Sequence, residues 1–295
     1  MLRFTCKRRK FFHQKNALKS GVCHSLSLEI ITATNLNAKY LTCVPSFIDF
    51  WKLIDAESSF AFTPRVVVIA EEYPSALVGF EEYCQVVSPG RNHTALVAQL
   101  ARLVYAADSD KDLVMTSDID MLPLSSHVTD FALHEMLKRT TDLAIVRDVL
   151  GIGQFPVCYT IASPEKWTDI VMSTGASHVD RITEIAAEFV KAYEGSHGGP
   201  GWFTDQEFLW DRVNALENSG ASVLRLADDQ TGHLRLDRVL HRFPLNWLLL
   251  PFVRYGIFSD YHVHHPISRN HRFISALKTV TRQRIESGQK RVRET

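Results

Sequence analysis

Two carboxylates one residue apart, Asp118 and Asp120, have the clearest chemical potential in this sequence. They follow an apolar run at 113–117 that is typical of a buried strand, and Pro123 comes shortly after them. If the backbone stays extended, both side chains point to the same side, because side chains alternate along a strand. Two carboxylates on one side favour a divalent cation, Mg²⁺ or Mn²⁺, that in turn holds a diphosphate.

Alternating strands and helices are predicted to position this pair. Strands are expected over 26–34, 65–70, 85–87 and 113–117, and helices over 44–54 and 94–107. The run at 66–69 is apolar on both faces, which indicates a parallel sheet covered on both sides. We therefore predict an α/β fold with a mostly parallel sheet flanked by helices. Ligands bind at the carboxyl ends of the strands in such sheets, where Asp118 lies. On its own, Asp-x-Asp is also common in solvated turns.

The second half of the chain is less regular. It predicts strands over 141–146, 157–162 and 222–226, and helices over 164–172, 179–193 and 204–216, with a glycine-rich loop at 195–201. The whole is read as one domain over 26–275. A basic arm at 1–25 precedes this domain and a basic tail at 276–295 follows it.

Composition excludes several classes of function. Lys plus Arg equals Asp plus Glu at 33 each, so no overall field attracts nucleic acid. The five cysteines are scattered without Cys-x-x-Cys spacing, which argues against a disulfide framework or a zinc site. A Gly-x-Gly-x-x-Gly motif after the first strand and a Walker A motif are both missing, so a Rossmann dinucleotide site and a P-loop are disfavoured.

The location of the protein is predicted from the apolar runs. The charged N-terminal residues are not followed by an apolar signal-peptide core, and no uncharged run reaches the ~20 residues of a spanning helix. We therefore expect a cytoplasmic protein. The apolar stretch at 243–258 is interrupted by Pro244, Pro251 and Arg254, and we expect it to be buried core. This stretch and the basic chain ends leave peripheral membrane contact as an alternative.

The segment SDIDMLPL at 117–124 resembles the DxD motif of GT-A-fold glycosyltransferases. The helix predicted before it and two later segments, GWFTDQ at 201–206 and DYH at 260–262, fit the layout of that family, and the resemblance covers about residues 27 to 270. It implies metal-dependent transfer of a sugar from a nucleotide-diphosphate sugar to a hydroxyl of a glycan, glycoprotein or glycolipid. Residues 26–124 would then bind the nucleotide sugar, and residues 125–275 the acceptor.

The resemblance also implies a set of metal ligands. Asp120 would contact the cation directly, and Asp118 would bind the ribose or the metal. A third ligand is expected from a C-terminal histidine, with His262 as the first choice, His264 as the second because it shares a face with His262 on an extended segment, and His265 still open. A histidine ligand favours Mn²⁺ over Mg²⁺, which prefers oxygen.

Asp205 is the candidate for moving the acceptor proton. The resemblance implies that it is the general base in inverting members of the family and that it orients the sugar in retaining ones. A purely structural alternative is that an acid in a first helical turn is stabilised by the helix dipole. Glu207 is the fallback, and Trp202 is expected either to stack on a sugar face or to anchor its loop.

The end of the first strand and the helix before the DxD motif are expected to hold the nucleotide sugar. Thr32, Thr34 and Asn35 would contact the base and ribose, and Arg102 would reach the diphosphate. Arg102 is equally read as a solvated helix arginine.

Other classes of protein remain as alternatives. A haloacid-dehalogenase-like phosphatase also has Asp-x-Asp after a strand, but it requires Thr or Val where this chain has Leu122, and it places the motif on the first strand. A nucleotidyltransferase requires a glycine-rich loop that is missing after Ile31. A non-catalytic sugar-binding domain is the third alternative, and the presence of both aspartates weighs against it.

Overall fold

The computed structural model describes residues 26–294 except 91, 152, 173–174, 176, 190–192, 196–197 and 238–243. Every element predicted in the first half is found within a few residues of its expected bounds. The elements are β1 (Ser27–Asn35), α1 (Ala38–Leu41), α2 (Val44–Asp55), β2 (Ala61–Ile69), β3 (Cys84–Val87), α3 (Thr94–Ala106) and β4 (Leu113–Thr116).

The second half contains further short elements. They are β5 (Met121–Pro123), α4 (His127–Arg139), β6 (Leu143–Ile145), β7 (Thr160–Ala162), α5 (Pro164–Val171), α6 (His178–Phe189), α7 (Thr204–Asn218), β8 (Val223–Arg225), α8 (Asp228–Thr231), β9 (Arg235–Leu236), α9 (Leu250–Arg254), β10 (Asp260–His262) and α10 (His271–Glu294). Single 3₁₀ turns lie at Ser75–Leu77, Pro244–Leu249 and Ile267–Arg269. Helices α1, α4, α8 and α9 and strands β5, β9 and β10 were not predicted.

The central sheet has seven strands in the order β3-β2-β1-β4-β7-β6-β8. Strands β3, β2, β1 and β4 are parallel, β7 is antiparallel to both of its neighbours, and β6 is parallel to β8. The prediction of a mostly parallel α/β sheet is confirmed. The chain moves outward from β1 to β3 and then returns to β4 on the other side of β1. The gap between the carboxyl ends of β1 and β4 is therefore a topological switch point, where open α/β sheets bind ligands.

Alternation along β1 divides the core between the two faces of this sheet. Leu28 and Ile30 pack into the cluster that includes α2 and the second, smaller sheet. Ile31 packs into the cluster on the other face, which includes α3. Both clusters are buried because side chains of a strand covered on both faces meet apolar neighbours on either side. Helix α3 is thereby fixed beside β4, one residue of which pairs with Ile31.

A second sheet, in the order β5-β10-β9, brings the C-terminal region to the Asp-x-Asp segment. Strand β5 begins directly after Asp120 and pairs antiparallel with β10, so that Met121 lies opposite His262. Strands of two or three residues are too short to show an alternating pattern, which explains why the sequence did not reveal them. This pairing of distant segments builds the histidine side of the site.

The end of the chain differs from the predicted basic tail. Residues 276–294 belong to α10, and Leu277, Thr281 and Ile285 are buried at helical spacing along it. The predicted arm at 1–25 lies outside the described residues. Cys43, Cys84 and Cys158 form no disulfide. None of the described helices is both long and apolar enough to cross a membrane.

Candidate active site

Asp118 and Asp120 lie at the carboxyl end of β4, beside the switch point. The backbone N–H of Ser117 still donates to the carbonyl of Ile31 on β1 at 2.9 Å, so sheet pairing continues up to the motif. The chain then turns, with the N–H of Met121 donating to the carbonyl of Asp118 at 3.1 Å. Because of this turn, the alternation of an extended strand does not apply, and the two carboxylates contact different partners. The Asp118 side chain is 35% exposed, whereas Asp120 is buried.

Asp120 faces two histidines from the C-terminal region. Its Oδ2 lies 3.1 Å from Nε2 of His265 and 3.5 Å from Nε2 of His262. Its backbone carbonyl accepts from the N–H of Val263 at 2.9 Å, which fixes the two segments together. Burial alone would raise the pKa of Asp120, but the two imidazoles hold this pKa below its usual value. The ring of His265 also packs edge-on against Tyr40, with centroids 5.2 Å apart.

The structure thus brings His262 and His265 to Asp120, and His265 was the candidate ranked below His264. Strand β10 ends at His262, so the alternation that predicted His264 no longer holds two residues later. The carbonyl of His264 instead accepts from Nδ2 of Asn270 at 2.6 Å. A run of three nearby histidines signalled the site, but the choice among them depends on a turn that the sequence does not specify.

Arg102 joins Asp118 to Asp205, and these three residues are called the Arg102 cluster. The guanidinium is buried on α3, pairs with both carboxylates, and also donates from NH1 to the carbonyl of Ser117 at 3.2 Å. Burial by itself would lower the pKa of Arg102, but the two carboxylates outweigh it and raise this pKa. The predicted diphosphate-binding arginine therefore lies at the switch point, where it is shared between two acids.

Asp205 is buried in the first turn of α7, with 2% of its surface exposed. Its Oδ1 accepts from the N–H of Gln206 at 2.9 Å. Burial raises the pKa of Asp205, and Arg102 opposes this rise. The preceding loop is held to α3, because Nε2 of Gln99 donates to the carbonyl of Trp202 at 2.8 Å, and Trp202 itself is partly exposed. Glu207, the fallback base, is exposed.

The end of β1 contributes polar groups to the same edge of the sheet. The hydroxyl of Thr32 is buried and has no hydrogen-bond partner in the described part of the chain. The hydroxyl of Thr34 donates to the carbonyl of Asn35 at 3.1 Å, and Nδ2 of Asn35 donates to Oγ1 of Thr94 at 3.0 Å. The last bond ties the end of β1 to the start of α3, the helix that holds Arg102.

A second buried carboxylate, Asp260 on β10, was not singled out from the sequence. Arg235 donates to it twice, from Nε to Oδ1 and from NH2 to Oδ2, both at 3.0 Å. The hydroxyl of Tyr159 donates to Oδ2 at 2.7 Å, and Nε2 of His233 lies 3.2 Å from the same oxygen. These four residues are called the Asp260 cluster. The other three members lie 25 to 101 positions before Asp260 in the chain, so no local pattern reveals the cluster.

The Asp260 cluster adjoins the Arg102 cluster at Cys158. The charges of both Asp118 and Arg235 act on the Cys158 thiol, whose burial raises its pKa to about 11. A further pair lies alongside, because Arg147 donates to Asp228 from Nε at 2.9 Å and from NH2 at 2.7 Å. The two clusters therefore lie on either side of Cys158, and His233, 3.6 Å from Asp228, connects Asp260 to the Arg147–Asp228 pair.

The side chains around Asp120 supply the donor types that a transition metal prefers. A carboxylate oxygen and two imidazole nitrogens suit Mn²⁺ better than Mg²⁺. Nδ1 of His265 is buried and has no hydrogen-bond partner among the described residues. As arranged here, however, the described chain has no group of three His, Cys, Asp or Glu side chains that could hold a metal ion. The donor types therefore fit Mn²⁺. In the present arrangement, however, the imidazole nitrogens of His262 and His265 both lie within 3.5 Å of Oδ2 of Asp120.

A cavity of about 440 Å³ lies elsewhere, at the start of α4. It is lined by Glu57, Ser126, Asp130, His134 and Arg284, among others, and by none of the predicted site residues. Its acids are already satisfied: Glu57 pairs with Arg284, and Asp130 accepts from Ser58 and Ser126. The cavity therefore offers no unpaired acid for chemistry.

Among known proteins, only solved structures resemble this chain. No family model matches the sequence, and no curated protein matches it. Solved structures that resemble the chain include the glycosyltransferase GlyE of Streptococcus pneumoniae TIGR4, at 12% identity and a TM-score of 0.45. The apo form of the same protein gives 12% identity and a TM-score of 0.43. In both cases 91% of this chain is covered, and it spans 64% of the length of the other.

Proposed function

We propose that this protein is a glycosyltransferase that moves a sugar from a nucleotide-diphosphate sugar to a hydroxyl of a glycan or lipid-linked acceptor. One observation supports this most strongly: two carboxylates, two histidines and a buried arginine converge at the topological switch point of a parallel sheet. Such convergence of charged groups at a ligand-binding edge is typical of functional sites.

The cation would be Mn²⁺, held by Asp118, Asp120 and His262, with His265 beside them. When bound, it supplies positive charge that offsets the charge of the diphosphate leaving group. Asp118 is suited to this role because its side chain is partly exposed at the switch point. Asp120 directly precedes β5, and the histidines lie at the end of β10 and just after it. The donors therefore come from two distant segments that pair in the second sheet.

The remaining site residues would bind and orient the donor. The ends of β1 and β4 are adjacent, and the unpartnered hydroxyl of Thr32 with Thr34 and Asn35 offers polar contacts to the base and ribose. Arg102, which pairs with Asp118 and Asp205, would donate to the diphosphate once the cation neutralises Asp118. Trp202, on the loop before α7, offers an aromatic face to a sugar.

Asp205 is proposed to accept the proton of the acceptor hydroxyl. A carboxylate with a raised pKa is a better base than an ordinary surface acid. Because Asp205 is buried, one of its carboxylate oxygens must become exposed when substrate binds, through a shift of the acceptor or of the loop before α7. If the sugar is transferred with retention, Asp205 would orient the sugar instead.

Thermal unfolding tests the donor class and the metal together. The protein is heated with UDP, GDP, CDP or dTDP, each with and without Mn²⁺. One nucleotide should raise the unfolding temperature only when Mn²⁺ is present, since a ligand at a hundredfold excess over its Kd stabilises by about 2.7 kcal/mol. The matching sugar nucleotide is then used to measure sugar release and transfer.

A variant pair makes this test specific. Asp120→Asn should abolish the Mn²⁺-dependent shift and the transfer activity. Asp110→Asn is the matched control, because the Asp110 side chain is 84% exposed shortly before β4, and it should behave as the wild type. Transfer that survives in Asp120→Asn excludes the proposed site. Hydrolysis of a simple phosphate ester, with no nucleotide shift, would favour the phosphatase.

A further inference from the structure

Exposed apolar side chains are concentrated in one short stretch, the 247–257 segment. Tyr255 is 80% exposed and Leu248 is 65% exposed. The other exposed apolar side chains of the segment are Trp247, Phe252 and Ile257. Isolated apolar residues are normal on protein surfaces, but five within eleven positions form a patch that marks an interaction surface.

The 247–257 segment is held firmly on the body of the protein. Val253 and Phe258 are buried and anchor it to the core. Trp247 packs edge-on against Phe273 of α10, with ring centroids 5.7 Å apart. The segment turns at Gly256, whose φ is +72° and where a Cβ would lie 3.6 Å from Cδ of Arg284. Anchors on one side and exposed apolar groups on the other give it two distinct faces.

Basic side chains accompany this patch. Arg254 lies within it, and Arg269 and Arg272 are exposed on the turn and at the start of the helix that follow. No ion pair joins any of these three arginines to a carboxylate in the described part of the chain. Lys278 and Arg284 of α10, by contrast, pair with Asp49 and Glu57. The patch therefore combines apolar groups with cations that have no carboxylate partner among the described residues.

The charge of the patch favours an anionic bilayer over a second copy of the chain. In a symmetric dimer the same arginines would meet across the interface, and like charges there oppose association. An anionic membrane surface attracts unpaired cations and accepts apolar side chains at the boundary of its acyl region. Trp and Tyr are favoured at that depth because their rings are apolar while one edge is polar.

We propose that the 247–257 segment, with Arg254, Arg269 and Arg272, docks the protein peripherally on an anionic lipid bilayer. The segment leads directly into β10, which holds His262. Docking would therefore bring the candidate site towards a lipid surface. The docking itself does not depend on the proposed transferase activity, because it rests on a different set of residues.

Vesicle sedimentation tests the docking with the full chain. Vesicles of phosphatidylcholine alone are compared with vesicles containing 30% phosphatidylserine, at low and high salt. We expect at least tenfold stronger partition into the anionic vesicles, and a loss of that preference at high salt. Equal, weak partition into both kinds of vesicle would overturn the proposal.

Two variants separate the apolar and the charged contributions. Leu248→Ser/Phe252→Ser/Tyr255→Ser should weaken binding to anionic vesicles at least tenfold, and so should Arg254→Gln/Arg269→Gln/Arg272→Gln. Leu36→Ser/Val78→Ser is the matched control, because both residues are exposed apolar side chains away from the segment, and it should bind as the wild type. Trp247 is left unchanged because it contacts Phe273.

Two results would contradict the docking surface. Wild-type binding by both test variants would assign the lipid contact to another region, such as residues 1–25. A wild-type dimer in light scattering that becomes monomeric in the serine variant, without vesicle binding by the wild type, would assign the patch to a second copy. Unfolding temperatures of all variants, measured in parallel, check that each is folded.

Discussion

Asp205 and Asp260 are both buried carboxylates paired with an arginine, yet their surroundings differ. Asp260 receives two hydrogen bonds from Arg235, one from Tyr159, and a close contact from His233. Asp205 shares Arg102 with Asp118. Burial acts to raise the pKa of both acids, but Arg235 and His233 bring the pKa of Asp260 below its usual value, whereas that of Asp205 is raised.

This difference separates an anchor from a candidate chemical group. A buried charge whose lone pairs are all satisfied by fixed donors has little left to offer a substrate. A buried acid that shares its arginine with a second acid is less fully satisfied, and a buried acid with a raised pKa is typical of residues that take part in chemistry. We infer that the Asp260 cluster holds β10, and hence His262, in place, while the Arg102 cluster is the one proposed to meet the substrate.

The largest expected effect is on stability, in Asp260→Asn. Removing the charge leaves Arg235 buried without its partner, and breaking a buried pair of this kind costs about 3–5 kcal/mol. The unfolding temperature should fall by roughly 10 °C for a chain of this size. Glu135→Gln, which removes the exposed pairs with Lys138 and Arg139, is the control and should unfold at the wild-type temperature. An unchanged unfolding temperature in Asp260→Asn would remove the anchor role.

The fold was largely predictable because its signals are local. Strands β2 and β4 contain continuous apolar runs, and α3 shows apolar residues at helical spacing, so a short window of sequence identifies each. The strands of the second sheet have only two or three residues, which is too short to give such a local signal, and they were missed. Helix α10 was read as a basic tail because its exposed face is rich in arginine, while its buried face is marked only by spaced apolar residues.

The candidate site was predictable only in part. Asp118 and Asp120 could be found because they follow a recognisable strand. The link from Arg102 to Asp205 spans 103 positions, and the bond from Tyr159 to Asp260 spans 101. Such contacts depend on how the second sheet and α7 pack, which no window of sequence encodes. The choice of His265 beside His262 depends on the turn after β10 for the same reason.

The second expected effect is on activity, in Asp205→Asn. Loss of a general base costs at least about a hundredfold in rate, or roughly 2.7 kcal/mol of transition-state stabilisation. Nucleotide binding should persist, because Asp118 and Asp120 are unchanged. Sugar transfer and nucleotide-dependent unfolding are measured side by side.

Glu207→Gln serves as the control for Asp205→Asn, since it changes an exposed acid in the same helical turn. It should retain full activity. If Asp205→Asn is fully active, Asp205 is not the base. If it unfolds while Glu207→Gln does not, Asp205 resembles Asp260 and the distinction between the two clusters fails.

The third expected effect is on metal affinity, in His262→Ala and His265→Ala. Each should weaken Mn²⁺ activation of nucleotide binding by about tenfold, equal to ~1.4 kcal/mol, because ligands and their immediate neighbours tune a site by that amount or more. His264→Ala, in the same segment, is the matched control and should remain within threefold of the wild type. The Mn²⁺ concentration for half-maximal thermal stabilisation by the nucleotide is the measurement. A loss confined to His264→Ala would show that the turn after β10 selects a different histidine.

The smallest expected effect is a difference in how stability changes with pH between Asp205 and Asp228. Two hydrogen bonds from Arg147 outweigh burial and lower the pKa of Asp228, while burial raises that of Asp205. An unfolded aspartate titrates near pH ~3.9. Asp228 therefore contributes stability above that pH and loses it as the pH falls further, whereas Asp205 contributes below that pH and loses its contribution as the pH rises.

The unfolding free energy of the wild type minus that of Asp228→Asn should grow from pH 3 to pH 7, and the corresponding difference for Asp205→Asn should shrink. Denaturant titrations at pH 3, 5 and 7 measure both. Parallel slopes for the two variants would mean that Arg102 satisfies Asp205 as fully as Arg147 satisfies Asp228, and that sharing an arginine between two acids does not leave either of them poised for chemistry.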